Sequence, residues 1–331
     1  MPHFSLECLD CGHRSTYHPM QYTCPQCGSA WLEARYDLQA AREQMVADLP
    51  NRPFTLWRYR EILPVHKVAP GLSMGEGGTP LLRAVHLGMM LGNENIFVKD
   101  ERQGPTNSFK DRQAALGIAA LKEAGVTEAV LASTGNVAIA FSAYAARAGI
   151  KLWAFLTSLV PPEKMREVAL YGTQVVKVTA SYDQAKQMAA EFARQRGLYY
   201  ERGSKSIPSV EGMKTIALEV AEQLTRELGP PEHSSAPWRA PDWYVQAVSG
   251  GLGPQGVVKG FRELYDMGLV DKIPAIASVQ TAGCAPMVQA WQADQPEATP
   301  IDSPRTHIAT LSTGAPGRTY SLLYQHAKRY G

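Results

Sequence analysis

The sequence predicts an α/β protein: two open, mostly parallel sheets flanked by helices, with a small metal-binding ribbon at the N-terminus. Three observations predict it. Beyond residue 75, short apolar runs alternate with amphipathic segments, as in a β-α-β succession. The helical segments repeatedly stop at a glycine, at Gly149, Gly172 and Gly197. Four of the five cysteines fall within twenty residues, as C-x2-C-x12-C-x2-C. The 331 residues suffice for about two domains, and 45% hydrophobic against 19% charged residues excludes wholesale disorder. A net charge of +2 argues against a nucleic-acid-coating or membrane-surface protein. The most apolar stretch, 130–156, is cut by Ser133, Thr134, Asn136, Arg147 and Lys151, so no membrane span is expected. The first residues show no basic stretch followed by an apolar one, and a cytoplasmic protein is expected.

The ribbon is read first. Cys8 and Cys11, then Cys24 and Cys27, each form Cys-x-x-Cys-Gly. Two thiolates at that spacing let one turn wrap a metal ion, and Gly12 or Gly28 permits the left-handed residue that closes it. Four thiolates complete a tetrahedral shell, so a structural zinc is expected, with iron the alternative that spacing does not separate and two disulfides disfavoured in the cytosol. His13 and His18 are surplus to that shell. Cys284 stands alone and reads as a small buried hydrophobe. Residues 1–40 carry more acidic than basic side chains, which disfavours nucleic-acid binding and marks the ribbon as a structural appendage.

Residues 41–75 form an arm that Pro50, Pro53, Pro64 and Pro70 keep from being one helix. The elements expected after it are strand 96–99, helix 110–124, strand 129–132, helix 136–148, strand 152–156, helix 163–171, strand 175–178, helix 182–196 and strand 199–200. Helix 211–228, strand 244–248, helix 255–266 and strand 275–279 follow.

Ligands of such sheets sit where strands give way to helices. Three loops there are unusual. The segment GPTNSFKDR (104–112) puts Lys110 in a first helical turn, where the positive helix end lowers an amine's pKa and suits a nucleophile; a solvated surface lysine is the plain alternative. STGN (133–136) offers hydroxyls and amides to an anion, or simply caps a helix. SGGLGPQG (249–256) suits a phosphate held at a helix N-terminus. It also satisfies G-x-G-x-x-G, but the next strand ends at Gln280 and Thr281 without the carboxylate a dinucleotide site expects.

Taken together, GEGGTPL (75–81), KDE (99–101), PTNSFKDR (105–112), STGN (133–136), EGMKT (211–215) and the glycine loop resemble the fold type II pyridoxal-phosphate enzymes, and among them the threonine synthases. The resemblance runs from about residue 70 to 320 and extends to the N-terminal zinc ribbon of some members. It implies a lyase that converts O-phosphohomoserine and water to threonine and phosphate. Lys110 would form the Schiff base with pyridoxal 5'-phosphate and move protons. Asn136 would bond the ring hydroxyl, and Gly250, Gly251, Gly253 and Gly256 would hold the cofactor phosphate. Ser133 and Thr134 would receive the substrate carboxylate, and Lys214 would assist with the substrate phosphate, as would Lys205.

The sequence also departs from that pattern. The family's Asn-Pro-Thr-Gly is here Gly104-Pro105-Thr106-Asn107, a threonine is here Val137, and the asparagine and arginine that meet the substrate phosphate are here Ser206 and Ser209. An arginine fork is poorly replaced by a hydroxyl. Elimination or replacement on another amino acid, such as phosphoserine, is therefore the alternative, as is a binding protein that keeps the fold without turnover. The domains expected are a ribbon (1–40), a large cofactor domain (41–114 and 206–331) and a small α/β domain (115–205), in a homodimer that binds a small amino acid. Related chains continue beyond the 306–310 segment with the residue that meets the pyridine nitrogen. A shortened form, or a partner chain completing the large domain, is expected from that.

Overall fold

The computed structural model describes residues 4–331 other than 134 and 159, with residue 309 described by its backbone. In the ribbon, β1 (Phe4–Cys8) pairs antiparallel with β2 (Arg14–Ser15) on one side and β3 (Leu32–Tyr36) on the other. Phe4 and Leu6 alternate inward on β1, and with Ala34 they bury Ile207 of the main body. The ribbon thus has too little apolar surface for a core of its own and shares one. Helix α1 (Leu38–Asp48) follows, capped by the Asp37 side chain, which accepts from Ala40 N at 3.1 Å. The arm then runs as short 3-10 turns, as its prolines require.

The next elements are β4 (Leu81–Arg83), α2 (Val85–Leu91) and β5 (Phe97–Lys99), with β4 and β5 an antiparallel pair. Helix α3 (Lys110–Glu123) leads into β6 (Glu128–Ser133), α4 (Asn136–Ala148), β7 (Lys151–Thr157), α5 (Pro162–Leu170), β8 (Gln174–Val178), α6 (Tyr182–Arg196) and β9 (Tyr199–Tyr200). These strands make one parallel sheet in the order β8-β7-β6-β9. Alternation along them sorts the two faces: Val130, Phe155 and Val178 pack on α6, whereas Leu131, Leu152, Ala154 and Leu156 share a core with α3 and α4.

Helix α7 (Ile207–Leu228) is buried along most of its length between α3 and α8 (Leu252–Asp266). Glycines allow the close crossings: a methyl group added at Gly212 would lie 2.5 Å from Arg112 O, and one at Gly260 would lie 2.7 Å from Ala217 Cβ. Strands β10 (Trp243–Ala247) and β11 (Ala275–Val279) form a parallel pair, followed by α9 (Pro286–Gln292) and α10 (Arg318–Tyr330). The fold is α/β with parallel sheets, as expected, and β4–β5 is an antiparallel exception. Two helices start earlier than their sequence pattern indicated, α7 at Ile207 and α8 at Leu252. The reason is common to both: Pro208 and Pro254 sit in first turns, where a missing N–H costs nothing.

Candidate active site

The carboxyl ends of β6, β9 and β10 and the N-termini of α3, α4, α6 and α8 surround a cavity of about 630 Å³. That is ample for a cofactor and a small amino acid. Lys110, Asn136, Gly250, Gly251 and Gly253 line it, so three distant loops meet there. Burial pushes the Lys110 amine down to about 8, against a smaller opposing pull from Glu201. Desolvation is the chief cause of the depression. The glycine loop opens α8: Gly251 takes φ +87°, and a methyl group there would lie 2.9 Å from Thr319. Backbone N–H groups of a first helical turn are unpaired within the helix and suit a phosphate. Ser249 Oγ and Thr313 Oγ1, 2.6 Å apart, close this side.

The remaining expected residues lie elsewhere or do other work. Ser133 is buried, and its hydroxyl accepts from Gly135 N at 3.0 Å and Ala138 N at 3.2 Å, which ties it to the first turn of α4 and leaves its O–H to donate. Thr134 lies outside the described residues. Gly256 does not reach the cavity: a methyl group on it would lie 2.4 Å from Met213 Cβ, so it is a crossing point of α8 on α7. Lys214, expected at the substrate, is fully buried. It donates to Ile62 O at 2.5 Å and pairs with Glu263 at 2.8 Å and with Glu211, in a cluster completed by Lys259. Its compensation of a missing arginine is thereby corrected. An amine so neutralised has no outlet to the cavity.

A second buried charge cluster lies behind Lys110 and accounts for several of the shared motifs. Arg112 donates to Glu101 at 2.8 Å, to both Glu219 oxygens at 2.6 and 2.8 Å, to Thr79 at 3.0 Å and to Thr215 at 2.9 Å. Lys99 adds a 2.6 Å bond to Glu219. Although burial opposes it, Arg112 and Lys99 hold the Glu219 carboxyl down at about 2. These residues tie β5, α3 and α7 together and fix the helix that begins with Lys110.

Several cavity residues escaped the reading of the sequence. Glu201 accepts from Tyr199 OH at 2.8 Å, Ser206 Oγ at 3.0 Å, Ser209 Oγ at 2.8 Å and Gly203 N at 2.9 Å. Both serines that replace the family's anion ligands are thus committed to a carboxylate. Arg202 lies beside it and donates to the carbonyls of Tyr22 (2.8 Å) and Lys205 (3.1 Å). Burial pushes its guanidinium below its ordinary value, with Tyr199 and Glu201 opposing. Lys164 donates to Asn136 Oδ1 at 2.6 Å. Trp31 of the ribbon also lines the cavity. The position of Glu201 and Arg202 just after β9 was the available signal, because sheet ligands gather at carboxyl ends. Nothing local marks Trp31.

The four ribbon cysteines are free thiols whose sulfurs all lie within 4.8 Å of one another. Cys8–Cys27 and Cys11–Cys24 approach to 3.5 and 3.6 Å. Tetrahedral metal–thiolate bonds of ~2.3 Å place sulfurs about 3.8 Å apart, so the set fits one ion. Gly12 and Gly28 take φ +72° and +74°, as the knuckle turns require. Among the described residues no histidine or carboxylate joins the cluster. None of the described helices is long and apolar enough to cross a membrane.

Residues 72–331 match the family model described as pyridoxal-phosphate dependent enzyme. The threonine synthase of Methanocaldococcus jannaschii is 32% identical over 93% of this chain and 73% of its own length. That of Methanosarcina acetivorans is 29% identical over 95% and 73%. Among solved structures, maize serine racemase superposes with a TM-score of 0.61 at 21% identity, covering 74% of this chain and 70% of its own. The processed threonine deaminase isoform 2 of Solanum lycopersicum gives 0.59 at 20%, covering 86% and 68%. Those two likenesses concern the fold. The family match covers most of the chain, and with it the cavity and its glycine loop: the chain belongs to the pyridoxal-phosphate dependent enzymes of fold type II, with threonine synthases among its relatives.

Proposed function

We propose that the protein is a lyase acting on an amino acid with a phosphorylated side chain, O-phosphohomoserine first, giving threonine and phosphate. The observation that carries this is the cavity's charge. Lys110, Arg202 and Lys205 line it without a direct salt bridge among the described residues, and the one lining carboxylate, Glu201, acts on Lys110 and Arg202 from beyond ion-pair distance. An amine for an aldehyde, a helix N-terminus for one phosphate and two further cations suit a cofactor plus a second anion.

In this reading Lys110 is the amine that holds pyridoxal 5'-phosphate and moves protons, and Gly250, Gly251 and Gly253 hold the cofactor's phosphate. When bound, the cofactor supplies an electron sink for charge developing next to the amino acid's carboxylate. Asn136, whose Oδ1 accepts from Lys164 at 2.6 Å, lines the cavity and would bond the cofactor's ring hydroxyl. Phe109 and Val137 give the cavity apolar lining. The four-cysteine ribbon fits zinc, and we assign it zinc. We further read the chain as ribbon 1–40, large domain 41–114 with 206–331, and small domain 115–205, working as a homodimer in the cytoplasm. Because Ser206 and Ser209 serve Glu201, elimination from phosphoserine stands as the second reading.

The test is a spectrum of the purified, cofactor-supplemented protein, titrated with each phosphorylated amino acid and followed by phosphate release. A visible absorbance band that Lys110→Ala abolishes is expected, with phosphate release falling by about 10²–10⁴-fold. A protein without that band refutes the cofactor assignment. A band that no phosphorylated amino acid perturbs refutes the substrate class.

A further inference from the structure

We propose that the ribbon is one wall of the substrate subsite: Tyr22 and Trp31 position Arg202 and Lys205, and these two cations receive the substrate's distal phosphate. The inference rests on the phosphorylated-substrate reading above and assigns it residues.

Four observations lead there. Arg202 is held by the ribbon itself, donating to Tyr22 O at 2.8 Å with its guanidinium 4.5 Å from the Tyr22 ring centroid. The same tyrosine's hydroxyl accepts from Tyr200 N at 2.8 Å, so one ribbon residue fixes the backbone of β9 and the side chain that follows it. Trp31 lines the cavity, and the Lys205 ammonium and the Arg318 guanidinium each lie 5.6 Å from its ring. Ser206 and Ser209, where relatives place their anion ligands, are bonded to Glu201 and have no role left for a phosphate.

The charges decide which cations are available. Lys186 pairs with Asp183 and Arg318 with Asp10. Lys110 is taken by the cofactor. That leaves Arg202 and Lys205. Arg202 donates to two carbonyls, which orient a guanidinium without neutralising it. A planar fork beside a point charge is a suitable receptor for a phosphate dianion.

The second Cys-x-x-Cys pair lies between the two positioning residues. Tyr22 precedes Cys24 by two residues and Trp31 follows Cys27 by four. Leu9 N donates to Trp31 O at 3.0 Å, and Trp31 N donates to Ser29 Oγ at 3.1 Å. The second knuckle therefore anchors the Trp31 backbone, and Tyr22 enters that knuckle two residues before its first thiolate. A detached appendage would have no use for the bonds that join Tyr22 to Tyr200 and Arg202.

The experiment uses the holoenzyme and three variants: Arg202→Lys, Trp31→Ala and Trp31→Phe. Each is titrated with O-phosphohomoserine and with homoserine, read by the change in the cofactor's visible band. Steady-state phosphate release then gives kcat and KM separately, and inorganic phosphate is the competing ligand. Arg202→Lys is expected to raise KM for the phosphorylated substrate roughly 10- to 100-fold, the loss of a charge-assisted bond, with kcat within a few-fold. Inhibition by inorganic phosphate should weaken in parallel, and the response to homoserine should not change. Trp31→Ala should move KM the same way by a smaller factor, and Trp31→Phe should restore most of it. An unchanged cofactor band and melting temperature in each variant shows that the fold is kept. Wild-type KM in both Arg202→Lys and Trp31→Ala overturns the inference, and so do equal losses for phosphorylated and unphosphorylated ligands. A wild-type holoenzyme that ignores phosphorylated amino acids sinks the substrate reading, and this inference with it, which is a distinguishable result.

Discussion

The floor and the rim of the cavity are built on opposite plans. Beneath Lys110, Arg112 is buried among Glu101, Glu219, Thr79 and Thr215, its charge matched on several sides. At the rim, Arg202 and Lys205 are held by carbonyls and aromatic faces and make no direct salt bridge among the described residues. Lys99, Glu101, Arg112 and Thr215 of the floor belong to the motifs that resemble threonine synthases, whereas Ser206 and Ser209 beside the rim depart from them. The chemistry common to a family is thus held by satisfied, rigid charge, while what is particular to one chain sits where charge is left over.

The contrast can be broken at the floor with the largest effect. Arg112→Leu leaves Glu219 buried with Lys99 as its remaining cation, and a loss of about 3–5 kcal/mol is expected in chemical denaturation. Arg202→Lys at the rim should stay within ~0.5 kcal/mol of wild type in the same assay. Equal losses would abolish the distinction. A smaller effect sharpens the placing of the glycine loop. Gly256→Ala should cost about 1–3 kcal/mol through overpacking on Met213, with the affinity for cofactor unchanged in whatever protein folds. A selective loss of cofactor binding would return Gly256 to the phosphate site.

The third expectation concerns pH. With its amine at about 8, Lys110 is about one tenth neutral at pH 7, against roughly three in ten thousand for an amine left at 10.5. Attachment of cofactor to apoprotein should therefore speed up about tenfold from pH 7 to well above 8 and then level off. A rate still rising steeply beyond pH 10 would mean that burial does not depress this amine. The smallest effect is at the first turn of α4. Ser133→Ala should destabilise by ~1 kcal/mol and leave the KM for substrate near wild type, whereas a direct carboxylate ligand would show in KM.

Much of this was legible from the sequence, for local reasons. Strand alternation, glycine stops and the cysteine spacing depend on neighbours in the chain, and β11, α6 and β9 begin and end where their patterns do. The helix starts at Ile207 and Leu252 were missed because a proline in a first turn looks, in sequence, like a stop. Lys110, Asn136 and the glycine loop could be placed because strand ends converge in this class of fold. The errors at Lys214 and Gly256 share a cause. Both lie on helices near the site but turn toward another part of the chain, and the turn angle is set by packing partners more than forty residues away, Ile62 for one and Met213 for the other. Trp31 could not be found from its own surroundings, because only the folded chain brings it across to Lys205.

The contact between ribbon and rim also bears on how such a chain changes over time. Residues 4–36 carry the four clustered cysteines, share a core with Ile207, and reach the cavity with aromatic side chains and a backbone carbonyl rather than with reacting groups. Altering or exchanging that segment would retune which side-chain anion is admitted and leave the amine, the glycine loop and their charged foundation untouched.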